Sequence, residues 1–441
     1  MRTIIAGAVA QLKDQVQQFL SPAFIRQTAR ELGLAWRQTP LAPPNLLAHF
    51  ARQILGGNLS MPELCRLAGS QFTPEAYCTA RRRLPLALLQ LMLRRIGAAA
   101  PDSPALLWKG HRLWHVDGSS FSMADTPELQ KTFGQPGQQR QACGFPVAHI
   151  LCLFDATSGL IADCILSPLR THDMAHAAEL HRQMRPGDIL IGDRAFESFA
   201  HLALLLGQGL HAIVPVHQKR KVDFVSRQRR TGKKLQRIER ERVRRCGRCQ
   251  QIVRWLKPEN KPRYMSQEQY AALPETIEVR EIKRTVRLST GQKQIIVLVT
   301  TLLDEQLYPA EELVKVLEGR WQVEVNLRHL KTTMKMEVLR SQSAAGIEKE
   351  LWMFFIVYNL VRLIMLQAAL RQEVNVGRIS FADALYWVRH GDLSRELPVL
   401  LVVPWRPGRC EPRVLKRRPK AYHRLTQPRE VMRQALRSKK P

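Results

Sequence analysis

The chain has 441 residues, with 68 Lys+Arg against 38 Asp+Glu for a formal charge of +30, and 45% of its residues are hydrophobic. That apolar fraction excludes a globally disordered chain, and the length suits two or three domains. So large a cationic excess repels itself, which points to a polyanionic partner, nucleic acid ahead of an anionic membrane surface.

The eight cysteines (Cys65, Cys78, Cys143, Cys152, Cys164, Cys246, Cys249 and Cys410) are scattered, which suits a reducing cytosol rather than a disulfide framework. Only Cys246 and Cys249 have metal-ligand spacing, and no second pair stands nearby to complete a zinc site. The N-terminal run MRTIIAGAVAQLKDQ lacks the apolar core and cleavage site of a secretory signal.

Residues 1–105 read as a helical N-terminal domain. In NLLAHFARQILGGNLSMPELCRLAG the helical spacing breaks at Gly56-Gly57 and restarts at Ser60, a cap ahead of Pro62 and Glu63. TPEAYCTARRRLP then places Arg81, Arg82 and Arg83 on a short helix. Such a pattern fits a helix-turn-helix-like DNA reader, and equally a helical bundle with a solvated arginine face.

From about Leu106 the texture changes. HRLWHVDG predicts a strand ending in an Asp-Gly turn, and GFPVAHILCLFDATSGLIADCILSPL predicts two strands joined at Ala156–Gly159. A helical HDMAHAAELHRQM, the strand DILIGD, the helix FESFAHLALLLGQG and the strand HAIVPV follow. Three strands, helix, strand, helix, strand is the order of a ribonuclease-H-like core. Residues 106–215 are assigned to its first part.

Residues 216–303 read as a basic, β-rich insertion, strongly cationic from Lys219 to Lys257 and alternating from 275 to 303 about a turn at Ser289–Gly291. Residues 304–400 return to helices of the core. There LWMFFIVYNLVRLIMLQAAL is long enough to span a bilayer, but Asn359 and Arg362 in its middle make a buried core helix the better reading. Residues 401–441 form a basic, Pro-rich tail.

Phosphodiester chemistry in water calls for divalent ions held by hard oxygen ligands, hence for acids at the ends of neighbouring strands. Asp117 and Asp193 stand at the ends of two strands that such a core places side by side. Taken singly, Asp117 before Gly118 is also a good turn residue, and Asp193 could cap a helix. A third acid, Glu324, shares one helical face with Arg320, Arg328 and Lys331, at relative positions 0, 4, 8 and 11 counted from Arg320. On spacing alone that face is either a surface ion-pair stripe or an acid flanked by phosphate-gripping cations.

Arg320-x3-Glu324-x6-Lys331 resembles the signature of the insertion-sequence-four family of DDE transposases, whose fuller pattern is Tyr-x2-Arg-x3-Glu-x6-Lys. Val116-Asp117-Gly118, Asp193-Arg194-x-Phe196, Ala80-Arg81-x-Arg83-Leu84, Tyr358-Asn359-Leu360 and the tail Glu411-Pro412-Arg413 with Lys416–Lys420 are similar to the family in the same order. The resemblance implies a metal-dependent transposase that cuts at the inverted-repeat ends of its element and joins them to target DNA. It implies Asp117, Asp193 and Glu324 as catalytic and metal-holding acids, with Mg2+ as the cofactor and Mn2+ as a substitute. It implies double-stranded DNA as partner, homo-oligomers on DNA, and a bacterial cytoplasmic, nucleoid-associated protein with no membrane role. Expected DNA contacts are Arg320, Lys331, Arg328, Arg81, Arg83, Arg229, Arg230, Lys233 and Lys234. Leu317 stands where the signature has tyrosine. A relative that binds DNA without catalysis and a standalone nuclease are the competing readings.

Overall fold

The computed structural model describes residues 20–99, 107–169, 171, 173–217, 220, 222–224, 240–287, 293–337, 339–391, 397–404 and 425–438. Helices α1 (Pro22–Glu31), α2 (Pro43–Leu55), α3 (Met61–Leu67), α4 (Pro74–Arg83) and α5 (Leu86–Gly97) come first. Ser21, Ser60 and Thr73 accept from the free amides of Phe24, Glu63 and Ala76, and a proline sits in the first turn of each capped helix.

Among the described residues, nine strands form one sheet. They are β1 (Leu113–Ser122), β2 (Val147–Asp155), β3 (Ile161–Pro168), β4 (Ile189–Ile191), β5 (His211–Pro215), β6 (Arg240–Gly247), β7 (Gln250–Leu256), β8 (Thr276–Arg287) and β9 (Lys293–Thr300). Between strands lie α6 (Pro127–Phe133), α7 (Ala177–Leu180), α8 (Phe199–Gly207) and α9 (Gln267–Ala271). The spatial order is β3-β2-β1-β4-β5-β9-β8-β7-β6. β2 runs antiparallel to both β1 and β3, whereas β1, β4 and β5 are parallel. This is the interleaving expected of a ribonuclease-H-like core. The insertion strands extend the same sheet through the antiparallel pair β5–β9. The β2–β3 turn falls where Ala156–Gly159 predicts it: Asp155 accepts from the Ser158 amide, and Gly159 takes φ +70°.

Alternation along the strands divides the core. Ile150, Cys152 and Phe154 join the cluster of Phe50, Leu64, Leu88 and Leu93 from the N-terminal helices. Leu151 and Leu153 point the other way, toward Phe199, Leu202 and Leu205. After β9 come α10 (Ala310–Gly319), α11 (Trp321–Arg328), α12 (Ala344–Arg371) and α13 (Phe381–His390), and later α14 (Arg429–Arg437), none of whose side chains is buried.

α12 passes a length and hydropathy test for a membrane span, yet 78% of its most apolar window is buried inside the protein. Asn359 brackets Ile161, accepting from its amide and donating to its carbonyl, and Arg362 donates to the Ser158 carbonyl. The two polar residues that argue against lipid therefore dock the helix onto the β2–β3 hairpin. The N-terminal helices pack on the same helix, so α1–α5 and the sheet share one apolar cluster.

Candidate active site

Asp117 does not close its strand, as its Asp-Gly sequence suggests. β1 continues to Ser122, with Asp117 opposite Cys152 and Gly118 opposite Leu151 on β2. What ends near Asp117 is the pairing with β4, whose last pair is His115 with Ile191. Two residues further along each chain stand Asp117 and Asp193, near enough for the Asp193 charge to act on the Asp117 carboxyl. Both share the strand parity of Ile189 and Ile191, which face α10. Asp193 starts a single tight turn, accepting from the Ala195 amide at 2.8 Å. Gly192 permits that turn, since a Cβ there would lie 2.7 Å from the Phe196 ring.

Glu324 comes from α11, which is seated by buried Val323 and Leu327. One turn earlier, Arg320 donates to Asp117 Oδ2 at 3.2 Å and to Glu324 Oε1 at 3.1 Å. Its guanidinium thus binds two of the three acids to each other. Burial still pushes the Asp117 carboxyl up to about 6. The Gly118 amide and Arg320 oppose the rise, and the charges of Asp193 and Glu324 add to it. This is a desolvated acidic locus that one guanidinium does not neutralise.

Lys331 reaches the same place by another route. Helix α11 passes into a π-helical turn over His329–Thr333, where the Met334 amide donates to the His329 carbonyl at 2.9 Å. Lys331 therefore leaves the regular helical stripe, and its ammonium donates to the Ser120 carbonyl on β1 at 2.9 Å. His329 is stacked on Phe381 at 4.2 Å, and burial lowers its pKa to about 3.

The other expected DNA contacts divide. Arg328 and Arg83 are exposed. Arg81 is turned inward at 6% exposure, donating to Gln53 and Ser341 and lying 4.0 Å over the Phe50 ring. Its guanidinium is engaged inside the protein. Arg229, Arg230, Lys233, Lys234 and the tail motifs lie outside the described residues. Leu317 is buried against the α10 side of the sheet, among Ile189, Ile191 and Leu313. Trp255 is fully buried, and Trp321 is 48% exposed beside Arg320. Cys246 and Cys249 flank the β6–β7 turn as free thiols.

Three features escape a linear reading. They are the π-turn, the Ser120 carbonyl that receives Lys331, and Glu197 at the far end of the Asp193 turn. Glu197 reads as the start of the next helix, and nothing in its spacing signals its buried partners.

Carboxylate oxygens are the hard donors that a divalent cation takes, and the under-neutralised Asp117 suits an added positive charge. Among the described residues, no three His, Cys, Asp or Glu side chains are gathered to hold a metal ion by themselves. Such ions commonly take only one or two carboxylates and complete their shell with substrate phosphates and water. The residues fit a site finished by DNA.

Residues 108–360 match the model of the transposase DDE domain. The chain belongs to the DDE transposase family. It is 24% identical over 371 residues to the transposase InsG for insertion sequence element IS4 of Escherichia coli K12, covering 79% of this chain and 78% of that one. A second relative, the putative transposase InsZ of the same organism, is 26% identical over 102 residues, 23% of this chain and 34% of its own. Among solved structures, a piggyBac transposase synaptic complex with hairpin DNA aligns over 86% of this chain and 79% of that one, at 11% identity and TM-score 0.45. The insertion-sequence-four resemblance therefore holds. The chain is a DNA transposase, and its chemistry is divalent-metal-dependent DNA cleavage and strand transfer.

Proposed function

We propose that Asp117, Asp193 and Glu324 are the acids that hold the divalent metal, Mg2+ or in its place Mn2+. The supporting observation is the approach of three chain segments: Asp117 and Asp193 each stand two residues past the last β1–β4 pair, and Arg320 joins Asp117 to Glu324. When bound, a divalent ion supplies activation of water or a 3′ hydroxyl and stabilisation of the departing oxygen.

The protein's own groups have separate tasks. Arg320 now spans two carboxylates; when those acids turn to metal, its fork is free to take a phosphate in a bidentate grip. Lys331, held against β1, presents a point charge to the backbone on the Ser120 side. The exposed Arg328 and Arg83 add phosphate contacts that position DNA without reading its sequence. The N-terminal region 1–105 binds the inverted-repeat end, and the basic residues Arg229, Arg230, Lys233 and Lys234 of the insertion track the duplex. Movement is cut-and-paste, on a homo-oligomer assembled on DNA, in the bacterial cytoplasm at the nucleoid.

The test is an end-labelled inverted-repeat duplex with Mg2+ or Mn2+ and a target plasmid. Asp193→Asn is expected to lower cutting by ~10³-fold or more while end binding persists. If cutting survives that change, the triad assignment is wrong.

A further inference from the structure

Asp117 and Asp193 are held in different ways. Asp117 lies inside an uninterrupted ladder with β2, whereas β4 has only three residues and Asp193 stands beyond its end. The place of Asp193 is therefore set by its turn and by whatever anchors the far side of that turn. Phe196, 1% exposed, anchors it on the apolar side. On the polar side stands Glu197, whose carboxylate is fully enclosed.

Glu197 accepts from the His217 amide at 2.9 Å, just past β5, and pairs with Arg220 at 2.8 Å. The Arg220 guanidinium lies 4.3 Å over the ring of the fully buried Trp255 on β7. Beside it, Arg240 on β6 donates to the buried Glu281 on β8 at 2.7 Å. Glu281 also accepts from Gln251, which donates as well to the Asp223 carbonyl. The charges of Glu281 and Arg240 act on both Glu197 and Arg220. Two carboxylates and two guanidiniums thus join the Asp193 turn to three strands of the insertion. Neither the metal nor the DNA contacts proposed above require this cluster.

We infer that Glu197 is a positioning residue for Asp193, acting through its ion pair with Arg220 to tie the metal-holding turn to the insertion. This rests on the reading of Asp193 as a metal-holding acid. The insertion is then part of the catalytic geometry as well as of the DNA-binding surface. A catalytic group displaced by a distant change can lose ~10²-fold in rate, whereas duplex affinity follows the cationic surface, which a buried neutralisation leaves alone.

The experiment compares full-length wild type with Glu197→Gln, Arg220→Gln and the double variant. Single-turnover cutting at saturating end duplex, duplex affinity and thermal midpoint are measured on each. Each single variant is expected to cut ~10- to ~100-fold more slowly, with affinity within about twofold of wild type. The double variant is expected to be no slower than the worse single, because both remove one link. Wild-type cutting rates overturn the inference, as do losses of affinity in step with cutting, or additive effects. Should either Gln variant fail to fold, Arg220→Lys carries the test. It keeps the charge but loses the planar fork over Trp255, so slower cutting at unchanged affinity and midpoint is expected, and an unchanged rate overturns the proposal. Asp193→Asn runs alongside: cutting by that variant would sink the triad, whereas its inactivity with Glu197→Gln cutting at the wild-type rate would sink only the coupling.

Discussion

The two halves of the sheet are secured by different forces. On the β1–β3 side, α12 and the N-terminal helices meet the strands through a broad apolar cluster, in which Asn359 and Arg362 are matched to backbone and the buried Asp163 and Asp155 to Arg94 and Arg112. On the β6–β9 side an apolar patch around Trp255 and Val279 is supplemented by charge pairs, Arg240–Glu281 inside and Arg254–Glu278, Arg244–Glu305 and Arg284–Glu311 further out. Asp117 belongs to the first half, and the Asp193 turn is tied to the second. One active site is thus assembled from a half held chiefly by a broad apolar cluster, with Arg94–Asp163 and Arg112–Asp155 as its ion pairs, and a half in which charge pairs take the larger share.

The contrast breaks most severely at the apolar side. Phe354→Ala in α12 removes a ring with no exposed surface from the apolar cluster that the helix shares with the sheet. It is expected to cost about 3–5 kcal/mol in chemical or thermal unfolding, with both acids displaced together. A cost below 1 kcal/mol would show that the cluster is not the main cohesion of that half. Glu281→Gln is next: it leaves Arg240 beside a neutral amide, at an expected cost of about 3 kcal/mol. The increase in amide hydrogen exchange should be confined to β6–β8 and the Asp193 turn, and exchange rising equally in α12 would erase the distinction between the halves.

The smallest of the three effects has the opposite sign. The Asp117 carboxyl titrates at about 6 in the fold against an ordinary 3.8, so its protonated form is the one the fold favours. The associated stabilisation is fully present below the ordinary value and is lost as pH rises through about 6. Asp117→Asn keeps the neutral form at every pH. In metal-free buffer it should raise stability at pH 7 by about 1–3 kcal/mol, and the gain should vanish below pH ~4. A variant less stable than wild type at pH 7 would show that the Arg320 pair outweighs burial. The acid is kept at a cost to the fold that Arg320 and the Gly118 amide offset only in part.

Much of this was legible in the sequence, for physical reasons. The strand and helix order, the Ala156–Gly159 turn and the burial of α12 follow from periodicity, turn chemistry and the polar pair in an apolar helix. Elsewhere local signals were overridden. Asp117-Gly118 has the composition of a turn, yet pairing with β2 carries the strand through it. The Arg81–Arg83 run has the composition of a solvated face, but Phe50 and Gln53 on α2 draw Arg81 inward. Strands β6 and β7 lie within a stretch whose arginines hide the alternation; an edge strand tolerates such charge because one side of it faces water. The Glu197 cluster unites residues from four separate stretches of chain, and no spacing rule reaches across them.

The pairing of β5 with β9 has a consequence for how such a molecule can change. Ile213 lies opposite Thr300 and Pro215 opposite Leu298, so the chain departs for the insertion and returns from it on neighbouring strands, ~5 Å apart. Because its two ends meet, the intervening module can lengthen, shorten or be exchanged at little closure entropy to the core. The junction is a graft point. Any module placed there inherits a position next to the Asp193 turn, and the partner it supplies for Glu197 sets how firmly that turn is held.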